Sequence, residues 1–150
     1  MRNEVAAPAT KTSSHPRRRL RSAGAILSGF FVVVVLSLGT DLGLHAAGIF
    51  PALGQPMSDS LFLLATAYRT VYGIASSYIT ARLAPDRPMQ HALVGGAVGL
   101  VVCTVGAAAT WNRVPSLGPH WYPLALIALA MPTAWAGGRV REMQVRSAGD

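Results

Sequence analysis

Arg69 stands inside LATAYRTVYG, residues 64–73, among apolar, small and hydroxyl-bearing residues. A guanidinium stays charged at any physiological pH. At the centre of a bilayer it costs about 3 kcal/mol on insertion scales and on the order of 10 kcal/mol or more in simulations. Either figure requires a partner. At 100° per residue, Ser58, Phe62, Ser76 and Thr80 fall within about 20° of Arg69, and Thr66, Tyr72 and Gly73 within about 60°. A face of hydroxyls and small groups predicts that the arginine points into a helical bundle or a wet cavity. Between Glu4 and Asp86 the only acidic residues are Asp41 and Asp59, which are therefore the expected partners. Two chemistries fit. One is a buried anion-binding or ion-coupling centre, with Tyr68 or Tyr72 and Asp41 assisting. The other is an interhelical Arg–Asp bond that fixes the fold.

The string TDLGLH sets Asp41 and His45 four residues apart, on one helical face. That spacing permits a hydrogen bond or two ligands to one metal ion. His120 is a conceivable third ligand, but two residues at this spacing read first as an interfacial polar pair, and no metal is expected. His91 is expected on the opposite side, opening the third span. HExxH, Walker, GxSxG and CxxC patterns are absent. No catalytic residue and no cofactor is expected, and the chain is read as a non-enzyme. The single cysteine, Cys103, excludes an intramolecular disulfide and a Cys-based zinc site.

The elements that must position these residues follow from composition. Of 150 residues, 51% are hydrophobic and 13% charged, about half the charge of a usual soluble domain. Mean hydropathy is +0.39. The net charge of +7 does not point to nucleic acid, because it is placed where a membrane protein needs it. Residues 1–21, with Arg2, Lys11, Arg17, Arg18, Arg19 and Arg21, read as a disordered basic cytoplasmic tail. PRRRLR followed by an apolar run can also announce a twin-arginine or cleaved signal. A positive-inside anchor is the preferred reading, since Asp41 and His45 occupy the ground where a cleavage site belongs.

Four spans are expected, at about 23–44, 60–82, 91–110 and 121–138, each near the ~20 residues that cross a bilayer. Gly48, Pro51, Gly54 and Pro56 mark the first connector, ARLAPDRPM the second and WNRVPSLGPHWYP the third. Residues 141–150 form a cytoplasmic tail. With the N-terminus inside, 11 basic residues fall on the inner side, Arg113 alone falls outside, and Arg69 lies within a span. The expected fold is thus an all-α four-helix transmembrane bundle with both termini cytoplasmic. Trp111, Trp121 and Tyr122 flank the outer loop as an aromatic belt.

Gly95 and Gly99 form GxxxG on the third span, with Gly106 on nearly the same face. They predict close helix packing in the bundle, or homodimerisation through that span. Ala25/Gly29 and Ala134/Gly138 repeat the spacing, and Pro132 should kink the fourth span. QPMSDSL (55–61) and RPMQHAL (87–93) share PM and a leucine at matched offsets, a faint inverted repeat.

The strings TDLGLHAAGIFPALGQPMSD, LATAYRTVYG, YITARLAPDRPMQHAL and GPHWYPLAL, across residues 40–138, resemble a family of small four-span bacterial integral membrane proteins with no assigned activity. The resemblance implies an inner-membrane location and adds no substrate or catalytic residue. The function expected is that of a non-enzymatic accessory or structural membrane component with a buried polar network of Arg69, Tyr68, Tyr72, Asp41, His45 and Asp59. The alternative is a small anion or carboxylate transporter or channel working as an oligomer. The lipid bilayer is the expected partner.

Overall fold

The computed structural model describes residues 15–52, 54–112 and 118–148. The fold is an all-α four-helix bundle: α1 His15–Ala46, α2 Asp59–Leu83, α3 Pro88–Thr110 and α4 Trp121–Ser147. Three of the four expected spans agree with a helix at their starts to within three residues. The first does not. Helix α1 begins at His15, so residues 15–21, expected as disordered tail, are helical. The run HPRRRLRSAGA holds no glycine or proline beyond its second residue until Gly24, and arginine is a strong helix former. Residues 1–14 and Arg113 lie outside the described residues. Helix α4 likewise runs past Gly138 to Ser147, so the expected tail is mostly helical. Pro132 does not end α4.

Successive helices run antiparallel. Helix α2 touches each of the other three helices, α3 packs on α4, and α1 reaches α2 and α3 but not α4. Small residues allow these approaches. A Cβ on Gly29 would fall 2.8 Å from the Ser76 carbonyl oxygen of α2, and one on Gly137 would fall 2.4 Å from the Ile74 carbonyl oxygen and 2.6 Å from the Tyr78 nitrogen. At Gly96 it would fall 2.4 Å from the Ala134 Cβ. The buried core is correspondingly small: Ala25, Ala65, Ala81, Ala92, Ala107 and Ala134, with Phe50, Phe62 and the polar Thr80 and Thr133.

The expected glycine seam is only partly right. A Cβ built on Gly95 would lie 3.8 Å from Thr80 Cγ2, but Cβ atoms built on Gly99 or Gly106 meet nothing within 4 Å. The close α3–α4 contact uses Gly96 instead, one residue off the GxxxG register. Four-residue spacing marks a face without saying which face meets a neighbour. The faint repeat fails in placement: Pro88 is the first residue of α3, whereas Pro56 precedes α2 by three residues.

The ends nearer Arg18 are tied by polar contacts. Arg18 pairs with Asp86 at 3.0 Å. His91 Nε2 lies 2.9 Å from Ser22 Oγ, and Tyr78 donates to Gln144 Oε1 at 2.9 Å. Arg87 precedes Pro88 with φ 44° and ψ 63°, a left-handed conformation disfavoured for a side-chain-bearing residue.

Among the described residues two helices, Arg17–Ala46 and Pro88–Thr110, are long and apolar enough to cross a membrane. In α2 and α4 the arginines, acids and hydroxyls lower the hydropathy.

Candidate functional site

Helices α1 and α2 meet side by side in opposite directions. The last turns of α1 therefore face the middle of α2, and Asp41 comes opposite Arg69. Arg69 Nη2 donates to Asp41 Oδ2 at 2.5 Å. The second carboxylate oxygen, Oδ1, accepts a hydrogen bond from the Tyr68 hydroxyl. One turn away, the Thr40 and Tyr72 hydroxyls lie 2.8 Å apart. Tyr68 and Tyr72 pack with ring centroids 5.6 Å apart. Three residues of the expected network, Arg69, Tyr68 and Tyr72, thus act from α2 on the Thr40–Asp41 step of α1.

The guanidinium carbon lies 5.8 Å from the Tyr68 ring centroid and 5.6 Å from that of Tyr122 on α4. Cation–π attraction of this kind strengthens where water is excluded. By sequence Tyr122 is expected only in an interfacial belt. Its role at Arg69 comes from the parallel run of α2 and α4, which also packs the Phe62 ring, tilted by 53°, against Tyr122 with centroids 5.0 Å apart. The sequence contains no periodic signal for that pairing.

The remaining expected members do not join. His45 Nδ1 contacts the backbone oxygen of Asp41 at 2.7 Å, and its ring packs edge-on against Phe50. The i, i+4 spacing is thus satisfied through backbone, not side chain to side chain. Asp59 is exposed as the first residue of α2, with no ion pair among the described residues. Ten residues, about 15 Å of helix, separate it from Arg69, whereas Asp41 is brought level. His120 stacks on Trp111 with centroids 4.4 Å apart. No three His, Cys, Asp or Glu side chains gather among the described residues.

On its other side Arg69 lines a cavity of about 180 Å³ between all four helices. Thr70, Gly73, Ser76, Ser77 and Thr80 of α2 line it too, as do Gly95, Gly99 and Cys103 of α3. Of the face expected around Arg69, Gly73, Ser76 and Thr80 belong to this lining, whereas Ser58, Phe62, Thr66 and Tyr72 do not. Thr70 and Thr133 return their hydroxyls to carbonyls of their own helices, the usual way a helix satisfies threonine in apolar surroundings. Ser76, Ser77 and Thr80 have no such side-chain bond among the described residues. The arrangement can hold helices through a neutral ion pair, and it can offer donors to a small molecule.

Compared with family models, with curated proteins and with solved structures, the chain matches none of them.

Proposed function

We propose that the protein is a small, non-enzymatic, accessory or structural component of the bacterial inner membrane. Its four helices would all cross the bilayer, with both termini cytoplasmic. In this reading Arg69, Asp41 and Tyr68 form a clasp that fixes α1 against α2. The observation that carries it is the Arg69–Asp41 bond. A charge too costly to leave alone in lipid is met within the chain, and Tyr68 occupies the other carboxylate oxygen.

The surface supports the membrane setting. Phe31, Leu38, Leu42, Val101 and Val105 are 57–70% exposed while the interior holds alanine, glycine and threonine. Soluble monomers rarely expose contiguous apolar patches beyond a few hundred Å². Small residues inside and large apolar residues outside are how helices pack in lipid. The arginines at the start of α1, in the α2–α3 turn and late in α4 suit an inner-face orientation.

The clasp is tested by purifying Arg69→Gln in detergent. Reduced folded yield and thermal stability are expected; a variant as stable as wild type refutes the clasp. Reporter fusions to the C-terminus test orientation, and a periplasmic C-terminus refutes it.

A second reading, a small carboxylate carrier working as an oligomer, is favoured by the cavity that Arg69 lines. Lactate uptake by reconstituted vesicles tests it, with empty vesicles as the baseline. Uptake no faster than that baseline removes it. Dimerisation through α3 belongs with this reading, because one bundle is small to enclose a path.

A further inference from the structure

We infer that the cavity beside Arg69 binds a short monocarboxylate together with one proton. The inference deepens the carrier reading by naming its ligand, and rests on that reading for passage across the membrane.

Size, polarity and charge select the ligand. A volume of about 180 Å³ equals the bulk volume of about six waters, enough for a small organic acid. The walls Val33, Val102, Leu126 and Leu129 are apolar, while Ser76 and Thr80 bring hydroxyls. Thr80 is 3% exposed and lines the cavity where α1 and α2 meet at Gly29. A ligand with one charged head and a short apolar tail matches this division. The head should be a carboxylate. Arg69 uses one nitrogen on Asp41, and a guanidinium has five N–H donors in a planar fork that a carboxylate matches. Phe30, Val98 and Val102 line the cavity and are also 39–48% exposed. The cavity thus reaches the outside between α1 and α3.

Charge then fixes the proton. Arg69 and Asp41 are a neutral pair, and adding an anion to a low-dielectric site is unfavourable unless a positive charge enters with it. The ligand's carboxylate takes the donors of Arg69 that face the cavity, and one proton enters with it, shared by the two carboxylates that then meet at Arg69. The bound state stays neutral. No other group facing Asp41 needs to change charge. Helix α2 presents Tyr68, Arg69 and Tyr72, and α1 presents His45, bonded to the Asp41 backbone. Helix α3 holds His91, bonded at the far end to Ser22, and Cys103.

The test is thermal unfolding of the purified full chain with butyrate, and with butyramide as its neutral isostere. At ten times the Kd, butyrate should raise Tm by about 3 °C, and butyramide should not. The apparent Kd for butyrate should rise about tenfold per pH unit between pH 6 and 8, the signature of one coupled proton. Asp41→Asn, neutral throughout, should bind without that pH dependence. Gly99→Leu extends into the cavity from a position whose Cβ meets nothing within 4 Å. It should fold and lose the butyrate shift.

No butyrate shift in the wild type, an equal shift with butyramide, or a shift retained in Gly99→Leu overturns the site. A tenfold pH dependence persisting in Asp41→Asn overturns the proton. A Tm shift with lactate, measured in the same way, without lactate uptake by vesicles supports the site and removes the carrier reading alone.

Discussion

About three turns of α2 separate Arg69 from Thr80, and the two regions join helices by opposite means. Around Arg69 the helices are held by charge and aromatic rings: a carboxylate from α1, hydroxyls of Tyr68 and Tyr72, and the Tyr122 face from α4. Around Thr80 the close approaches are made through glycine. Gly29 and Gly137 let α1 and α4 approach α2 until backbone meets backbone. In the membrane setting proposed above both solutions are needed. Dispersion between close backbones supplies attraction that the hydrophobic effect cannot supply there. A polar pair supplies direction, because its loss leaves a charge with no water to solvate it.

The largest effect is expected at the polar region. Asp41→Ala strands Arg69 and should destabilise by about 3–5 kcal/mol, measured as unfolding in a mild detergent. Next comes the glycine region. Gly137→Ala forces a methyl onto the Ile74 carbonyl and the Tyr78 nitrogen, and about 2–3 kcal/mol of overpacking is expected. If Gly137→Ala unfolds as wild type does, the contrast between the regions collapses. Tyr72→Phe removes only the neutral Thr40 bond and should cost about 1 kcal/mol in the same assay. The smallest effect sharpens the register. Gly99→Ala meets open space and should be neutral or stabilising by up to about 1 kcal/mol through helix propensity. A strong loss there would restore the GxxxG seam at Gly95 and Gly99.

The length of the apolar runs made the helices legible, because runs bounded by Gly, Pro and Arg leave little choice of boundary. It failed at the start of α1 and the end of α4, where arginine-rich segments read as tails yet continue a helix already nucleated by its apolar part. The face of Arg69 was legible too, since its hydroxyl neighbours follow from 100° per residue. Partner choice was legible only as far as two aspartates. Asp41 prevails over Asp59 because antiparallel packing sets it level with Arg69, whereas Asp59 on the arginine's own helix stays a fixed distance away. Tyr122 and Gly96 were not legible, for their contacts depend on the rotation of α4, which no residue spacing within α2 or α3 encodes.

The central claim is that Arg69 and Asp41 stabilise the bundle as one unit. A double-mutant cycle tests it most directly, comparing the stability of Arg69→Gln, Asp41→Asn and the double variant with wild type. A unit predicts non-additivity of at least about 2 kcal/mol, with the double variant nearer wild type than the sum of the two losses. Losses that add to within about 0.5 kcal/mol would show that the two residues act independently and would contradict the clasp.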